Sequence, residues 1–283
     1  MNNNIIISAD CACDLPDDMI KKYSICTIPF YIMINDVRFQ ERTEIESGML
    51  SDYFGNKDVR ISSAPASVDE YKSYFSKLTK DKDVSVIHIA VSGRLSAACA
   101  NALAAAREME NVYVIDSRLF SQGIGLLVMA AGELAMKGES FDTICSEIHK
   151  LRNKVNCSFA MKTTCHASAN NRINQTASYL MDLFKIKPVI RIKHGELKID
   201  GIYLGNINSY TKKYIKRLLK KEKKVSDEIL FITISGCTEE YKQLIYNEAT
   251  KYISWKKIYI QDVSAANFCN VGPESFGLMF YNK

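Results

Sequence analysis

The sequence predicts two α/β domains, the first with a mainly parallel sheet flanked by helices, the second with a mixed α/β sheet. Three observations predict this. Short apolar runs alternate with longer helical patterns through the first half, as strands joined by crossover helices do. Beyond residue 153 the order loosens into a β pair, a basic helix and a strand–helix–strand. With 283 residues and 47% hydrophobic content, the chain holds more apolar material than one small core takes up, so one large or two medium domains are expected.

Taken in order, Asn4 to Ile7 reads as a first strand and Ile25 to Ile34 as a longer β segment interrupted at Pro29. Ser67 and Glu70 have capping-box spacing and open a helix. Val84 to Ala90 and Val112 to Ile115 are the next strands, joined by an Ala-rich helix from Leu95 to Met109. Gln122 to Met136 and Phe141 to Leu151 form two helices parted at Gly138. The polar Asn153 to Asn156 is the expected hinge, dividing domains 1–153 and 154–283. The second domain should contain a β-like Phe159 to Thr164, a helix near Ala177 to Phe184, and a β pair from Val189 to Ile192 and Glu196 to Ile199 turning at His194-Gly195. A basic helix from Tyr210 to Lys221 and a strand from Ile229 to Ser235 follow. Thr238, Glu239 and Glu240 then start a helix running to Ile253, and Lys257 to Val263 is a last strand.

The net charge of +5 comes from 37 basic and 32 acidic residues, a near balance that argues against general nucleic-acid affinity. Nine cysteines, several inside apolar runs, suggest thiols in a reducing compartment. No basic-then-apolar leader and no bilayer-length apolar stretch are visible, so a cytoplasmic protein is expected.

Ser8-Ala9-Asp10, Ser92-Gly93 and Asp116-Ser117 each follow a first-half strand, and in an open parallel sheet such carboxyl ends form one rim beside which ligands bind. Taken singly, these are also ordinary turn and cap residues. Ser92-Gly93-Arg94-Leu95-Ser96 stands between a strand and a helix, where free amides favour a carboxylate or phosphate. Ser62-Ser63-Ala64-Pro65-Ala66-Ser67 adds hydroxyls. Neither a Walker loop nor a dinucleotide fingerprint is present.

These motifs resemble the DegV proteins, bacterial fatty-acid-binding proteins that present an acyl chain to a separate fatty acid kinase. Ala9-Asp10-Cys11-Ala12-Cys13-Asp14-Leu15-Pro16 is similar to the family's T-D-S-T-A-D-L-P. Ser62 to Ala66 matches T-S-Q-P-S, and Val91 to Ala98 matches I-S-S-x-L-S-G-T. V-I-D-S is intact at Val114 to Ser117, and I-K-P-x-I at Ile186 to Ile190. The resemblance implies a long-chain fatty acid in an interdomain tunnel, its carboxylate held by Ser62 and Ser92, with Arg172, Asn270, Ser96 and Asp116 as head-group neighbours. It implies neither a cofactor nor self-sufficient catalysis, but at most the acyl-carrying part of a kinase system. Two departures stand out. Asn270-Val271-Gly272-Pro273-Glu274 replaces a His followed by G-P-G, and Asn170-Asn171-Arg172 replaces G-G-R. Asn cannot shuttle a proton near neutral pH, so a lipid carrier or sensor uncoupled from any kinase is an alternative. Glu274 would repel an anionic head group unless Arg172 or Arg94 compensates.

A hydrolase with a Ser or Cys nucleophile is the rival class, with Cys165-His166 as its tempting pair and His88 read as a core histidine. Cys11-Ala12-Cys13 lacks a second pair at zinc spacing, so no metal is expected. Lys212, Lys213, Lys216, Arg217 and Lys220, with Ile215, Leu218 and Leu219 as an apolar face, suggest transient contact with an anionic membrane. The basic run lacks the recognition motifs of nucleic-acid binding.

Overall fold

β1 (Asn4–Asp10) has Ile7, Ser8, Ala9 and Asp10 all buried, the signature of a strand covered on both faces of a parallel sheet. The protein, a computed structural model, is described here for residues 4–283 apart from 55, 57, 82, 165–180, 182–185 and 222–223. After β1 come a 3-10 turn (Cys11–Cys13), α1 (Asp17–Lys22), β2 (Cys26–Ile28), β3 (Tyr31–Ile34), β4 (Val37–Gln40), α2 (Ser47–Leu50) and β5 (Ile61–Ala64). Then follow α3 (Val68–Leu78), β6 (Val84–Ala90), α4 (Ala98–Ala106), β7 (Val112–Asp116), α5 (Gln122–Met136) and α6 (Phe141–Leu151). The first sheet is wholly parallel in the order β2-β1-β6-β7. A small antiparallel sheet, β4-β3-β5, stands apart from it.

The second half contains β8 (Val155–Ala160), β9 (Lys187–Lys193), β10 (Glu196–Tyr203), α7 (Ile207–Lys221), β11 (Val225–Ser235), α8 (Glu239–Thr250), β12 (Ile258–Asp262), α9 (Ala265–Val271) and β13 (Ser275–Asn282). Its sheet runs β10-β9-β8-β13-β11-β12, antiparallel except for the β11–β12 pair, and so is mixed as expected.

Local chemistry explains several boundaries. Ser67 accepts from the Glu70 amide at 3.3 Å while Glu70 accepts from the Ser67 amide at 2.7 Å, completing the capping box of α3. Thr238 caps α8 through the Tyr241 amide. The Ala-rich helix starts at Ala98, not Leu95, because the amides of Leu95 and Ser96 turn back onto the Ser92 carbonyl and close a tight loop first. The expected hinge at Asn153 to Asn156 is half strand: β8 begins at Val155 and ends at Ala160, earlier than the Phe159 to Thr164 segment read from the sequence. The helix near Ala177 to Phe184 lies outside the described residues, apart from Met181.

α5 is the layer shared by both sheets. It packs on β1 from one side and on β8 and β13 from the other. Its glycines make this possible: a Cβ at Gly125 would stand 2.8 Å from the Cys13 carbonyl oxygen, and one at Gly123 2.9 Å from the Cys157 sulfur. Each glycine costs the helix about 1 kcal/mol relative to Ala, offset by apolar burial on both faces. One continuous core therefore runs from Ile7 and Ile89 through Leu126 and Leu127 to Phe159 and Met279.

Candidate functional site

The parallel strands β1, β6 and β7 end at Asp10, Ala90 and Asp116 on one rim, and each end is tied to the loop beside it. Asp10 is buried and accepts from the Val91 amide at 2.7 Å and from the Tyr71 hydroxyl. Asp116 accepts from the amides of Gly93 (3.2 Å) and Arg118 (2.9 Å).

Beside this rim, between the two larger sheets, lies an apolar slot of about 60 Å³. Ala12, Phe30, Val91, Leu95 and Phe120 face it from the first half, and Phe159, Met161, Ile190, Leu197, Ala266 and Val271 from the second. Its polar groups among the described residues are few: Ser63, Ser96, Asn267 and Asn270. Asn270 donates through Nδ2 to the Ser63 hydroxyl (3.2 Å) and to the Ala266 carbonyl (2.8 Å). Ser96 accepts from the Ala98 amide at 3.2 Å. Each serine thus takes an N–H on its oxygen and keeps its own proton for another acceptor. Hydroxyls at an apolar slot suit an amphipathic anion, with the slot taking the apolar part.

The residues singled out from the sequence have different fates. Ser96 and Asn270 line the slot. Ser62 does not: on β5 it pairs across from Met33, whereas Ser63, paired with Ile32, turns to the slot side. Ser92 is fully buried and donates to the Gly195 carbonyl at 2.8 Å, while accepting from the Arg94 amide. That bond joins the rim to the β9–β10 turn, where His194 (φ 53) and Gly195 (φ 85) adopt the left-handed conformations of a two-residue hairpin. Asp116 is engaged by loop amides and does not line the slot. Arg172 lies outside the described residues. Arg94 pairs with Glu196 of β10, and Glu274 pairs with Lys162, so the neutralising partner of Glu274 is a lysine the sequence reading did not consider. Asn267 was missed as well. Its signal was the Ser264–Asn267 spacing of a helix N-cap, which the structure forms through Ser264.

A Ser–His–Asp alignment does occur, at a different place from the Cys165-His166 pair, which lies outside the described residues. Ser8 Oγ is 2.9 Å from His88 Nδ1, and His88 Nε2 is 3.5 Å from Asp10 Oδ1. All three are fully buried, Tyr71 and Phe75 pack their rings against His88, and none of the three lines the slot or the cavity beside Glu41 and Arg42. His88 is a core histidine, as its apolar strand suggested. Burial raises the thiol pKa of every described cysteine, to about 12 at Cys13 and Cys157 and about 11 at Cys145, so near pH 7 these thiols stay protonated and are poor nucleophiles. Among the described residues no cluster of His, Cys, Asp and Glu is arranged to hold a metal.

On α7, Lys212, Lys213, Lys216 and Lys220 are exposed, but Ile215, Leu218 and Leu219 are buried in the second core with Tyr210 and Tyr214. The apolar face expected to meet a membrane is therefore spent inside the protein. Arg217 is likewise engaged, donating to Asp200 at 2.8 Å. No described helix is long and apolar enough to cross a bilayer.

Comparison with known proteins agrees with this architecture. A family model described as an uncharacterised protein of the DegV family matches residues 4–283. A DegV domain-containing protein of Clostridium acetobutylicum is 25% identical over 286 residues, covering 99% of each chain. A solved DegV family protein from Thermus thermophilus, described for fatty acid binding, superposes with a TM-score of 0.86 at 21% identity over 99% of this chain and 100% of its own. A DegV family protein from Eubacterium eligens loaded with heptadecanoic acid gives 0.86 at 16% identity, and the fatty acid kinase B3 protein of Streptococcus pneumoniae loaded with linoleic acid gives 0.84 at 16%. Both cover 99% of this chain and 100% of their own. At these identities the likeness is one of fold.

Proposed function

Since this chain belongs to the DegV family, we propose that it binds a long-chain fatty acid in the slot between its sheets, with the carboxylate at the Ser63, Ser96 and Asn270 end. The observation that carries the reading is an apolar slot at which two serine hydroxyls each have a proton left to donate. Charge-assisted bonds from hydroxyls to a carboxylate are the stronger kind. Of the serines favoured by the motifs, Ser92 joins them only by releasing the Gly195 carbonyl, and Ser62 faces away.

Burying a sixteen-carbon tail is worth about 12 kcal/mol gross, at roughly 0.8 kcal/mol per methylene, and ordering the chain offsets much of it. Phe120 and Phe159, whose rings lie 5.0 Å apart, line the slot and would flank the tail. In this reading the protein carries or presents the acid for lipid metabolism and is itself no enzyme. Asn270, tied to Ser63 and Ala266, acts as a fixed amide and does not shuttle protons. A fatty acid kinase as partner is supported by one structural neighbour that belongs to such a system.

Native mass spectrometry of the purified protein, followed by denaturing extraction, tests the proposal. A stoichiometric fatty acid is expected. An empty protein that takes up none of a panel of fatty acids would reduce the inheritance to fold alone.

A further inference from the structure

The second aspartate of the opening motif, Asp14, stands outside the slot lining and still meets it through one intermediary. It follows the 3-10 turn in a left-handed conformation (φ 54) and is 3% exposed. Its carboxylate lies where three elements converge. Oδ2 accepts from the Ser121 hydroxyl and from Asn267 Nδ2 at 2.8 Å, and Oδ1 accepts from the Ser264 amide at 3.0 Å. Ser264 is the N-cap of α9, and Asn267, whose Nδ2 also reaches the Ala12 carbonyl at 3.0 Å, lies on the slot with Asn270 one turn further along. Ser121 precedes α5 with φ 52 and ψ −145, a backbone conformation that favours glycine. A serine there is strained, and such strain persists only where surrounding structure over-determines it. Here the hydroxyl bond to Asp14 is the compensating contact.

An ionised carboxylate accepts all three donors and has no proton of its own to place among them. An amide at the same position would turn its NH₂ toward at least one of them. We propose that Asp14 is a positioning residue for the head-group end of the slot. It holds the start of α9, and through it Asn267 and Asn270, at a fixed reach from Ser63 and Ser96, and so sets the preference for a carboxylate over a neutral head group. This inference rests on the fatty-acid reading above.

The test measures the affinity of wild type, Asp14→Asn and Ser121→Ala for palmitate and for methyl palmitate at pH 7.5. These ligands share a tail and differ in the charge of the head. Wild type is expected to prefer palmitate. Asp14→Asn should lose about tenfold for palmitate, the order of one charge-assisted hydrogen bond, and less than twofold for the ester. Ser121→Ala keeps the carboxylate and removes one donor, and should show the same pattern at about two- to threefold. Equal losses for both ligands in the two variants, or none, would overturn the positioning role and leave Asp14 with a purely structural one. A wild type that binds neither ligand would overturn the fatty-acid reading itself, and this inference with it.

Discussion

At the scale of single residues, Ser63 and Ser96 are the groups whose removal should separate head from tail under the proposed function. Double substitution to Ala is expected to weaken palmitate binding by about 1.5–3 kcal/mol per lost charged hydrogen bond, with little change for the methyl ester. Calorimetric titration checks it, and unchanged palmitate affinity would reject the head-group site. Asp14 has a second consequence, for stability. Burial raises its carboxyl from 3.8 to about 6, against the lowering effect of its bonds from Ser121 and Ser264. A raised acid favours the folded state while protonated. Its contribution is complete below about pH 4 and is lost as the pH rises through 6, about 3 kcal/mol in all for a shift of two pKa units. Urea unfolding of wild type and Asp14→Asn between pH 4 and 7 should differ by this slope. A flat difference curve would mean that Asp14 titrates as it does in the unfolded chain.

At the scale of elements, the β9–β10 hairpin is the piece that joins the second sheet to the rim of the first. Gly195 has φ 85, and a Cβ there would stand 2.8 Å from Ser92 Oγ. Gly195→Ala is therefore expected to destabilise by more than the 1–2 kcal/mol of a left-handed residue alone, since the Ser92–Gly195 bond is strained too; chemical denaturation measures it. The hairpin turn was legible in the sequence because left-handed pairs such as His-Gly have few other uses between two β runs. The start of α3 was legible for a similar reason: a capping box uses only residues close in sequence. α9 and β13 were not read, although Ser264 and the apolar Ser275–Asn282 run marked them. β13 is a central strand, between β8 and β11, and its partners are about 50 and 120 residues away in sequence.

At the scale of the whole molecule, two features follow from how charge and core are distributed. Residues 210–224 carry eight basic side chains and one acidic, so the rest of the chain is net negative despite an overall +5. With the apolar face of α7 buried, contact with an anionic membrane is proposed to be electrostatic alone, through Lys212, Lys213, Lys216 and Lys220. Binding to anionic vesicles should fall steeply with added salt, and equal binding to neutral vesicles would refute it. The division into 1–153 and 154–283 is proposed as a boundary between two structural units that share a core. Because α5 is covered by both sheets, the isolated 1–153 fragment is expected to expose apolar surface and to lack a cooperative thermal transition. A sharp transition in that fragment would show instead that the unit is stable alone.

The sequence by itself determined the family, the parallel first sheet, the mixed second one and the rim where small polar residues gather. The family follows from five short motifs in the right order, and the rest from periodicity, local capping and turn chemistry, which act between residues close along the chain. Only the tertiary structure decided that Ser63 and not Ser62 meets the slot, because strand side chains alternate and a shift of one residue exchanges the two faces. It also decided that Ser92 spends its proton on Gly195, that Lys162 pairs with Glu274, and that the apolar side of the basic helix is core. Each of these depends on a partner roughly 30 to 110 residues away or on another layer of the fold, and no local pattern specifies which partner that is.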